Sequence, residues 1–440
     1  MADAGRHQSQ GHLTKQPRSP VLHSPILQVV LSTSLHTVTP GPPNPRFREL
    51  KRLFHTFIGP RACDAKDLQT VEEEESIKLL DKLLDTPHEF MAHTRDSTAA
   101  NRNDQISLVK IVQDAMDGFS LASEPGWWVD SFPLLRHLPW APFLSAAKWM
   151  RHDLELLYKV PFDYVKQERR KGTSKRSFIS TFLDERQGEE TPEDEDIINA
   201  AAASLYSGGA ETTVASLDSY FLAMTLFPHI QHKAQSTLDT YLHSLPPTNQ
   251  KFPAISDRPH LPYLEALMYE ILRWNPSVPL GLPHVATQDD EYRGYTIRKG
   301  TVVWANIWSI LQDEEVFPNP TGFRPERYLD EHGHIAKGSK QVLAVKTAFG
   351  FGRRICPGLY LAENSVFLAI AMFLFSLDIT PHGDGPPEVE YDGFISHPRP
   401  FKCKIRPRSP EVAQLIRDTV QTLNKQIDYY QATSMFQARL

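Results

Sequence analysis

The stretch FGFGRRICPG, residues 349–358, sets a single cysteine, Cys356, after two arginines and before a Pro–Gly pair. Its glycines let the backbone turn tightly and approach another group closely. Pro357 and Gly358 predict a helix start directly after the cysteine, where the helix dipole and free N–H groups favour a thiolate. A thiolate near Arg354 fits an axial ligand of haem iron, with the arginine on a propionate. The alternative is a buried cysteine in a tight turn.

The composition indicates a soluble globular protein of 440 residues, with a formal net charge of −6, 40% hydrophobic and 23% charged residues. The mild acidity does not favour a nucleic-acid partner. Three cysteines, Cys63, Cys356 and Cys403, do not suit a disulfide framework and indicate a reducing compartment. No run reaches the ~18 apolar residues of a membrane span. The best candidate, residues 21–32, is short and interrupted by a histidine and a proline.

Helical periodicity dominates the chain from Arg46 onward. One long helix is expected to begin at Pro192, with Thr191 as its N-cap, and to stop before Pro228. The remaining helices are predicted at 46–59, 72–95, 107–122, 142–170, 229–243, 261–276 and 359–377.

The β structure is expected to be minor. Residues 291–308 predict a hairpin with Gly300 in its turn, and residues 393–407 predict further strands and a loop. The fold class is therefore mainly α with a minor β portion (α+β), built as a single large domain.

A second unusual stretch lies inside the long helix, where Gly208 and Gly209 precede Glu211, Thr212 and Thr213. Each helix-interior glycine costs on the order of 1 kcal/mol relative to alanine. Small residues let a flat ring and a small ligand approach the helix, and an acid with an alcohol could relay protons to bound dioxygen. The alternative is a bent helix whose threonines bond to the carbonyl four residues earlier.

A third stretch, YEILRW, places Glu270 and Arg273 three residues apart on one helix face, so that they can pair. Surface pairs of this kind are common and weak, and the pair alone is explained by helix stabilisation. Arg327, in the later stretch FRPERYLD, is a candidate third charge.

Together these stretches resemble the cytochrome P-450 family, the haem-thiolate monooxygenases. The loop 349–358 has the family pattern F-x-x-G-x-R-x-C-x-G, which is a very specific signature. Residues 208–213 match the oxygen-activating helix, and 270–273 and 325–327 match the E-x-x-R and P-E-R motifs. The resemblance covers about 46–408, with the family's order and spacing, and looks closest to fungal secondary-metabolism enzymes.

The resemblance implies roles for particular residues. Cys356 would be the axial ligand of the haem iron. Thr212 and Glu211 would be the catalytic pair, the first hydrogen bonding in dioxygen activation and the second delivering protons. The other residues implied at the haem are Phe349, Gly350, Gly358, Arg354, His284 and Lys51. The charged residues implied to lock the core near the haem, without acting in catalysis, are Glu270, Arg273 and Arg327.

The resemblance also implies haem b as the cofactor, with electrons from NADPH through a separate reductase, since the sequence shows no flavin or nicotinamide module. A basic surface near Lys51, Arg52 and Arg353 is expected to dock an acidic reductase. The implied reaction inserts one oxygen atom from O₂ into an unactivated C–H bond.

The implied substrate is a lipophilic small molecule of the terpenoid, polyketide or alkaloid type. Its apolar pocket is expected to draw on residues 201–208, 278–282 and 394–395. The family is expected on the cytosolic face of the endoplasmic reticulum. Because no convincing anchor is recognised, this chain is expected to be cytoplasmic or to contact the membrane peripherally.

The resemblance divides the chain into a disordered, proline-rich segment without a clear anchor (1–45), a haem-thiolate monooxygenase domain (46–410) and a C-terminal helical extension (411–440). Phe47 and Lys51 occupy the two positions of the family's propionate-helix motif, W-x-x-x-R. The family's early sheet and substrate-closing loop are expected to be missing.

A second gap is expected at residues 96–108. The two gaps leave open an alternative function, a truncated and inactive haem-binding remnant. A further alternative is a haem-thiolate isomerase that does not use O₂, against which the Glu211–Thr212 pair argues.

Overall fold

The computed structural model of the chain describes residues 45–98, 108–123, 127–138, 140–246, 252–383 and 385–437. The expectations for residues 1–44 and for most of the gap at 96–108 therefore lie outside the described residues. Within the described ranges the protein is mainly helical with small two-stranded sheets, as the sequence predicts.

The helices are numbered in chain order. They are α1 (Pro45–Ile58), α2 (Pro60–Cys63), α3 (Lys66–Asp85), α4 (Phe90–Thr98), α5 (Leu108–Ser123), α6 (Trp128–Ser131), α7 (Pro142–Lys171), α8 (Phe178–Asp184), α9 (Pro192–Leu226), α10 (Pro228–Ser244), α11 (Pro262–Trp274), α12 (Ile307–Leu311), α13 (Lys340–Val345), α14 (Leu359–Ser376) and α15 (Pro410–Gln437). Short 3-10 turns lie at Pro87–Glu89, Pro133–His137, Ile255–His260, Pro325–Tyr328, Lys346–Phe349 and Gly352–Arg354.

The strands pair as antiparallel ladders. They are β1 (His284–Val285) with β4 (Val302–Val303), β2 (Asp290–Tyr292) with β3 (Tyr295–Ile297), β5 (Leu377–Pro381) with β8 (Cys403–Pro407), and β6 (Tyr391–Asp392) with β7 (His397–Pro398). The predicted hairpin exists, but its predicted turn is wrong. The turn is Arg293–Gly294, both at positive φ, which is the two-residue turn that matches strand twist, and Gly300 lies in a separate turn after β3.

The long helix α9 begins and ends where the sequence predicts. The Thr191 hydroxyl accepts from the Asp194 N–H at 3.2 Å, and the Asp194 carboxylate accepts from the Thr191 N–H at 3.1 Å. This reciprocal cap satisfies N–H groups that the first turn leaves without helical partners. Leu226 is the last helical residue, because Pro228 starts the next helix instead of continuing this one.

The centre of the main core is α14, which directly follows the cysteine loop. It is apolar almost all round, as expected for a helix buried on every side, and it packs against α3, α9, α10 and α11. Among the described residues it is the one helix whose length and composition would allow it to cross a membrane, yet 61% of that span is buried inside the protein. We therefore interpret α14 as a core helix.

A buried charge cluster fastens α11 to the segment that leads to the cysteine loop. The Arg273 guanidinium donates two hydrogen bonds to the Glu270 carboxylate, at 2.8 and 2.9 Å, and neither side chain is exposed to solvent. Arg327 joins the same carboxylate at 3.1 Å. The third charge suggested by the sequence is therefore present, and the weak surface pair is excluded.

Backbone groups complete the cluster. Arg273 donates to the carbonyl oxygens of Leu311 and Gly322, and the Arg324 N–H donates to the Glu270 carboxylate at 2.7 Å. Because two guanidinium groups share one carboxylate, these carbonyl oxygens are needed to satisfy the remaining N–H donors. The cluster thus fixes the path of the segment around 311–327 against α11.

Removal of the shared carboxylate should strongly destabilise the folded protein, because it leaves two arginines buried without a counter-charge. We expect Glu270→Gln to lower the free energy of unfolding by about 3–5 kcal/mol, measured by urea denaturation. The matched control is Glu155→Gln, which breaks an exposed i,i+4 pair with Arg151 and should cost at most about 0.5 kcal/mol. Equal losses in the two variants would contradict this account.

Candidate active site

The loop before α14 presents Cys356 in a sharply turned backbone. Gly350 and Gly352 have φ of 82° and 57°, a conformation that side-chain-bearing residues rarely adopt. The Cys356 N–H donates to the Phe349 carbonyl at 2.8 Å, which closes the loop. The helix begins at Leu359 with Gly358 as its N-cap, so the cysteine lies just before a helix N-terminus, as predicted.

The electrostatics of the thiol differ from the sequence-based expectation. Cys356 is solvent-exposed, yet protein packs closely around its sulfur, and that burial raises the pKa of the thiol. The Gly358 N–H offsets only part of the rise. The helix terminus alone therefore does not produce the expected thiolate, whereas a metal cation at the sulfur would, because coordination deprotonates a thiol.

Positive charge gathers beside the loop. The Arg354 guanidinium lies 3.7 Å from the centroid of the Phe47 ring on α1, a close cation–π contact. Burial and the charge of Arg354 both lower the pKa of His284, so the two side chains are neighbours. Lys51 is exposed one turn after Phe47 on the same face of α1. An anionic group here would be stabilised by both Arg354 and His284.

The glycine pair leaves one face of α9 open. Apart from the chain neighbours and the backbone of its own helical turns, a Cβ atom built on Gly208 or Gly209 would meet nothing within 4 Å, and both glycines are exposed. Thr212 donates its hydroxyl proton to the Gly208 carbonyl at 2.7 Å. The back-bonded threonine considered as an alternative is therefore observed, and the open face is observed beside it.

The same turn of α9 is tied to the segment after α11. The Ser277 hydroxyl donates to the Thr212 carbonyl at 2.9 Å, and the Ser216 hydroxyl donates to the same carbonyl at 3.2 Å. The Ser277 bond ties this turn of α9 to the segment after α11, and the Ser216 bond is a back-bond within the helix.

Glu211 lies next to Thr212 but contacts a histidine from the C-terminal strands. Its carboxylate lies 3.1 Å from Nε2 of His397 on β7, while Nδ1 of the same ring lies 3.7 Å from the Asp218 carboxylate. Asp218 is fully buried and accepts from the Thr94 hydroxyl at 2.9 Å. Glu211 and Asp218 are seven residues apart and share one face of α9.

These charges shift one another. Burial alone would lower the pKa of His397, but its contacts with Asp218 and Glu211 raise that pKa to about 9. Burial pushes the pKa of Glu211 upward, and the His397 imidazolium with the charge of Arg95 overcomes it, so that the pKa is lowered. At neutral pH the cluster therefore contains an imidazolium and an ionised Glu211.

An apolar cluster lies beside this turn of α9. Tyr206 and Ala210 pack with Phe119 of α5 and with Phe394 and Ile395, two residues predicted to line a substrate pocket. The Phe119 and Phe394 rings meet edge to face with centroids 6.0 Å apart. The cluster supplies an apolar wall next to the open face.

The other predicted pocket residues are placed differently. Ala201 is buried in another core cluster, with Leu50 and Phe178. Leu280 and Leu282, from the predicted stretch 278–282, are about half exposed. The structure therefore does not gather all predicted pocket residues into one place.

The family model described as Cytochrome P450 matches residues 66–405. The chain belongs to the cytochrome P450 family. It is accordingly a haem-thiolate monooxygenase, an oxidoreductase that incorporates oxygen from O₂ and takes haem iron as its cofactor. The family generally uses a redox-partner reductase and a small-molecule substrate.

Its curated relatives include several fungal enzymes. Cytochrome P450 monooxygenase 208 of Postia placenta is 40% identical over 401 residues, which cover 86% of this chain and 76% of the relative. Cytochrome P450 monooxygenase claR of Ampulloclitocybe clavipes is 37% identical, with 84% and 71% covered. Tryptamine 4-monooxygenase of Psilocybe cyanescens is 33% identical, with 84% and 76% covered.

The residues present fit a haem. An exposed cysteine could supply one sulfur ligand, the Arg354–His284 corner suits a carboxylate, and the open face at Gly208–Gly209 gives space for a flat ring. These donors are of the types that suit an iron–thiolate centre and propionate groups.

His397 and Asp218 were not predicted as site residues. Asp218 could have been suspected, because it follows Glu211 by seven residues on one helix face. His397 lies in a short strand far along the chain, and no local pattern links it to α9. Only the packing of β7 against α9 brings the ring to the two carboxylates.

The charge state of His397 should make stability depend on pH. Its folded pKa of about 9 lies above the ordinary value of ~6.5. The resulting stabilisation, about 3 kcal/mol, is therefore complete below ~pH 6.5 and is lost as pH rises through about 9. In His397→Gln we expect the slope of unfolding free energy against pH in this window to flatten, measured by urea titrations.

The matched control for this pH effect is His382→Gln, a histidine on the surface. It should retain the wild-type slope. A wild-type protein whose unfolding free energy is constant between pH 6.5 and 9 would show that His397 is not stabilised as an imidazolium.

Proposed function

We propose that Cys356 is the axial thiolate ligand of the haem iron, and that the enzyme inserts one oxygen atom from O₂ into a lipophilic small molecule. The observation that carries the proposal is the loop itself. Its left-handed glycines and the Cys356 N–H bond to Phe349 present the sulfur just before α14. When bound, haem with a thiolate ligand supplies the electron push that favours O–O cleavage.

The residues around the loop would hold the cofactor. Arg354 and His284 would bind propionate oxygens by charge-assisted hydrogen bonds, and the Phe47 ring keeps the Arg354 guanidinium in place. Lys51, exposed on α1, would add positive charge there. Phe349, Gly350 and Gly358 would shape the loop around the sulfur through their backbone, the Phe349 carbonyl accepting from the Cys356 N–H and the Gly358 N–H facing the sulfur.

On α9, Thr212 and Glu211 would hold and transfer protons. Because the Thr212 hydroxyl donates to Gly208, its oxygen lone pairs remain directed to accept a proton-bearing group. Glu211 is ionised under the influence of His397, so it can take up a proton and pass it on.

The substrate class follows from the apolar wall and from the relatives. Phe119, Tyr206 and Phe394 offer aromatic surface beside the open face of α9, which suits a lipophilic molecule. The relatives include a tryptamine 4-monooxygenase and claR. We propose a secondary metabolite of the terpenoid, polyketide or alkaloid class as substrate.

Electrons would come from NADPH through a separate reductase. Lys51 and Arg353 are exposed near the cysteine loop, where an acidic partner could dock. Arg52 forms a bidentate ion pair with Glu49, so it adds less positive charge to this surface than the sequence suggests.

The thiolate ligand predicts a spectrum. We expect the dithionite-reduced, carbon-monoxide-bound protein to show the strongly red-shifted Soret band of thiolate-ligated haem, and Cys356→Ala to lose it. Cys403→Ala, at a buried cysteine in β8, should retain it. A wild-type band at the shorter wavelength of neutral-ligand haem would refute the assignment.

An exposed aromatic surface supports peripheral membrane contact. Trp128, Phe132, Leu134 and Trp140 are 73%, 56%, 81% and 75% exposed within one short stretch. Exposed apolar patches of this kind mark interaction sites, and tryptophan favours the interface between lipid and water. We propose that Trp128, Phe132, Leu134 and Trp140 rest on a membrane surface.

The membrane contact can be tested with vesicles of phosphatidylcholine and phosphatidylserine. We expect Trp128→Ser/Trp140→Ser to reduce co-sedimentation at least about tenfold, equivalent to ~1.4 kcal/mol of lost apolar contact. Tyr292→Ser/Tyr295→Ser, at exposed aromatics on the β2–β3 hairpin, is the control and should bind like wild type. Equal binding by all three proteins would rule out this surface.

A further inference from the structure

The His397 ring faces two carboxylates but hydrogen bonds to only one. Nε2 lies 3.1 Å from Glu211, a bonding distance, whereas Nδ1 lies 3.7 Å from Oδ2 of Asp218. Within the described part of the chain, neither Nδ1 nor that Oδ2 has a hydrogen-bond partner, although both atoms are buried. A shift of well under 1 Å by the ring would close the second bond and lengthen the first.

We infer that His397 is a positioning residue acting through Glu211, a two-position latch whose second acceptor is the buried carboxylate of Asp218. In the observed position the ring holds Glu211 against β7. With the ring on Asp218, Glu211 is free to turn toward the open face of α9. The inference rests on the proposed role of Glu211 in proton delivery.

The latch conserves charge. When the imidazolium gives up the Nε2–H bond to Glu211 and forms an Nδ1–H bond to Asp218, no proton is transferred and the cation keeps a carboxylate partner. Without Asp218, release of Glu211 would leave a buried cation uncompensated, a state that costs several kcal/mol. Asp218 is itself fixed, because its other oxygen accepts from Thr94 at 2.9 Å.

The backbone beneath His397 is anchored, so only the side chain needs to move. The Ser396 N–H donates to the Ser277 carbonyl at 2.8 Å. The Ser396 hydroxyl and carbonyl both bond to the Asn275 side chain, at 2.7 and 3.0 Å. These bonds fix the residue before β7 to the segment after α11, so the backbone can stay in place while the imidazole moves.

Space for the released Glu211 carboxylate lies over Gly208. Gly208 precedes Glu211 by three residues on the same side of α9, and a Cβ there would meet nothing within 4 Å apart from the chain neighbours and the backbone of its own helical turns. The side chain of Glu211 can therefore lie over Gly208, next to the hydroxyl of Thr212 that bonds to the Gly208 carbonyl.

Other charges face the cluster from neighbouring helices. Arg95 of α4 lowers the pKa of Glu211, while Asp117 of α5 is near enough for the charge of Glu211 to raise its own pKa. Asp114, one turn earlier, acts on Asp117 in the same direction. Removing the His397 charge leaves Arg95 opposed by Asp117, so the pKa of Glu211 should rise.

The first experiment follows the ring itself. In the reduced, carbon-monoxide-bound holoenzyme, which is diamagnetic, histidine-labelled protein is titrated by NMR. We expect His397 to titrate near 9, and both Glu211→Gln and Asp218→Asn to weaken its proton affinity at least about tenfold. If Asp218→Asn leaves the titration unchanged, Asp218 is not the second acceptor and the latch is wrong.

The second experiment measures NADPH oxidation with a supplied reductase and no added substrate, across pH. Asp218→Asn should hold Glu211 closed and slow oxidation about tenfold at neutral pH. His397→Gln should instead shift the acidic limb of the profile upward by about one pH unit, because ionised Glu211 then needs a higher pH. His382→Gln is the control and should match wild type.

A merely structural role would lower haem content in both variants without moving the pH profile, and that result would overturn the inference. So would wild-type profiles in both variants with full haem content. Failure of the proposed function is distinguishable, because it would appear as loss of the thiolate spectrum in the wild-type protein, whatever the titration of His397.

Discussion

The burial of Glu270 with Arg273 and Arg327 is the constraint on which the structure around the cysteine loop depends. One carboxylate and two guanidinium groups lie out of contact with water, and each must keep all its partners. A buried ion cluster contributes little net stability compared with apolar packing, but it penalises every arrangement in which a member is lost. It therefore selects one path for the chain.

The chain segment fixed by this cluster leads to the cysteine loop. The cluster holds α11 against the segment that ends in the 3-10 turn Pro325–Tyr328, and the Tyr328 hydroxyl donates to the Glu270 carboxylate at 3.2 Å. From there α13 and a 3-10 turn lead to the loop of Cys356. The helix α14 then enters the core directly. The Glu270 cluster therefore holds the chain before the loop of Cys356, and the apolar packing of α14 holds the chain after it.

The turn of α9 around residues 208–212 differs from this charge cluster, because its own sequence weakens the helix and contacts with other segments stabilise it. Gly208 and Gly209 weaken α9 locally, and the Ser277 hydroxyl, which donates to the Thr212 carbonyl, ties this turn to the segment after α11. Functional sites often break local rules and are stabilised elsewhere. The buried imidazolium of His397 belongs to the same arrangement, because its charge offsets two acids that the helix places on one face.

The sequence predicted correctly the features that neighbouring residues cause. It did not predict the features that depend on packing between distant segments. The ends of α9 follow from Thr191 and Pro228, and the cysteine loop follows from its glycines. The turn at Arg293–Gly294 was missed although Gly294 favours it, because Gly300 offered a second turn signal nearby. The raised pKa of Cys356 could not be read from the helix start, since burial depends on what packs around the sulfur.

By itself the sequence determined the family and the backbone of the cysteine loop, and it predicted the sulfur ligand and the acid–alcohol pair of α9, because each is a short run whose chemistry and backbone geometry depend on neighbouring residues alone. Only the tertiary structure decided that Arg354 stacks on Phe47 and that the His397 ring lies between Glu211 and Asp218. These partners are far apart along the chain, so their contact depends on how α1 and β7 pack, which no local pattern specifies.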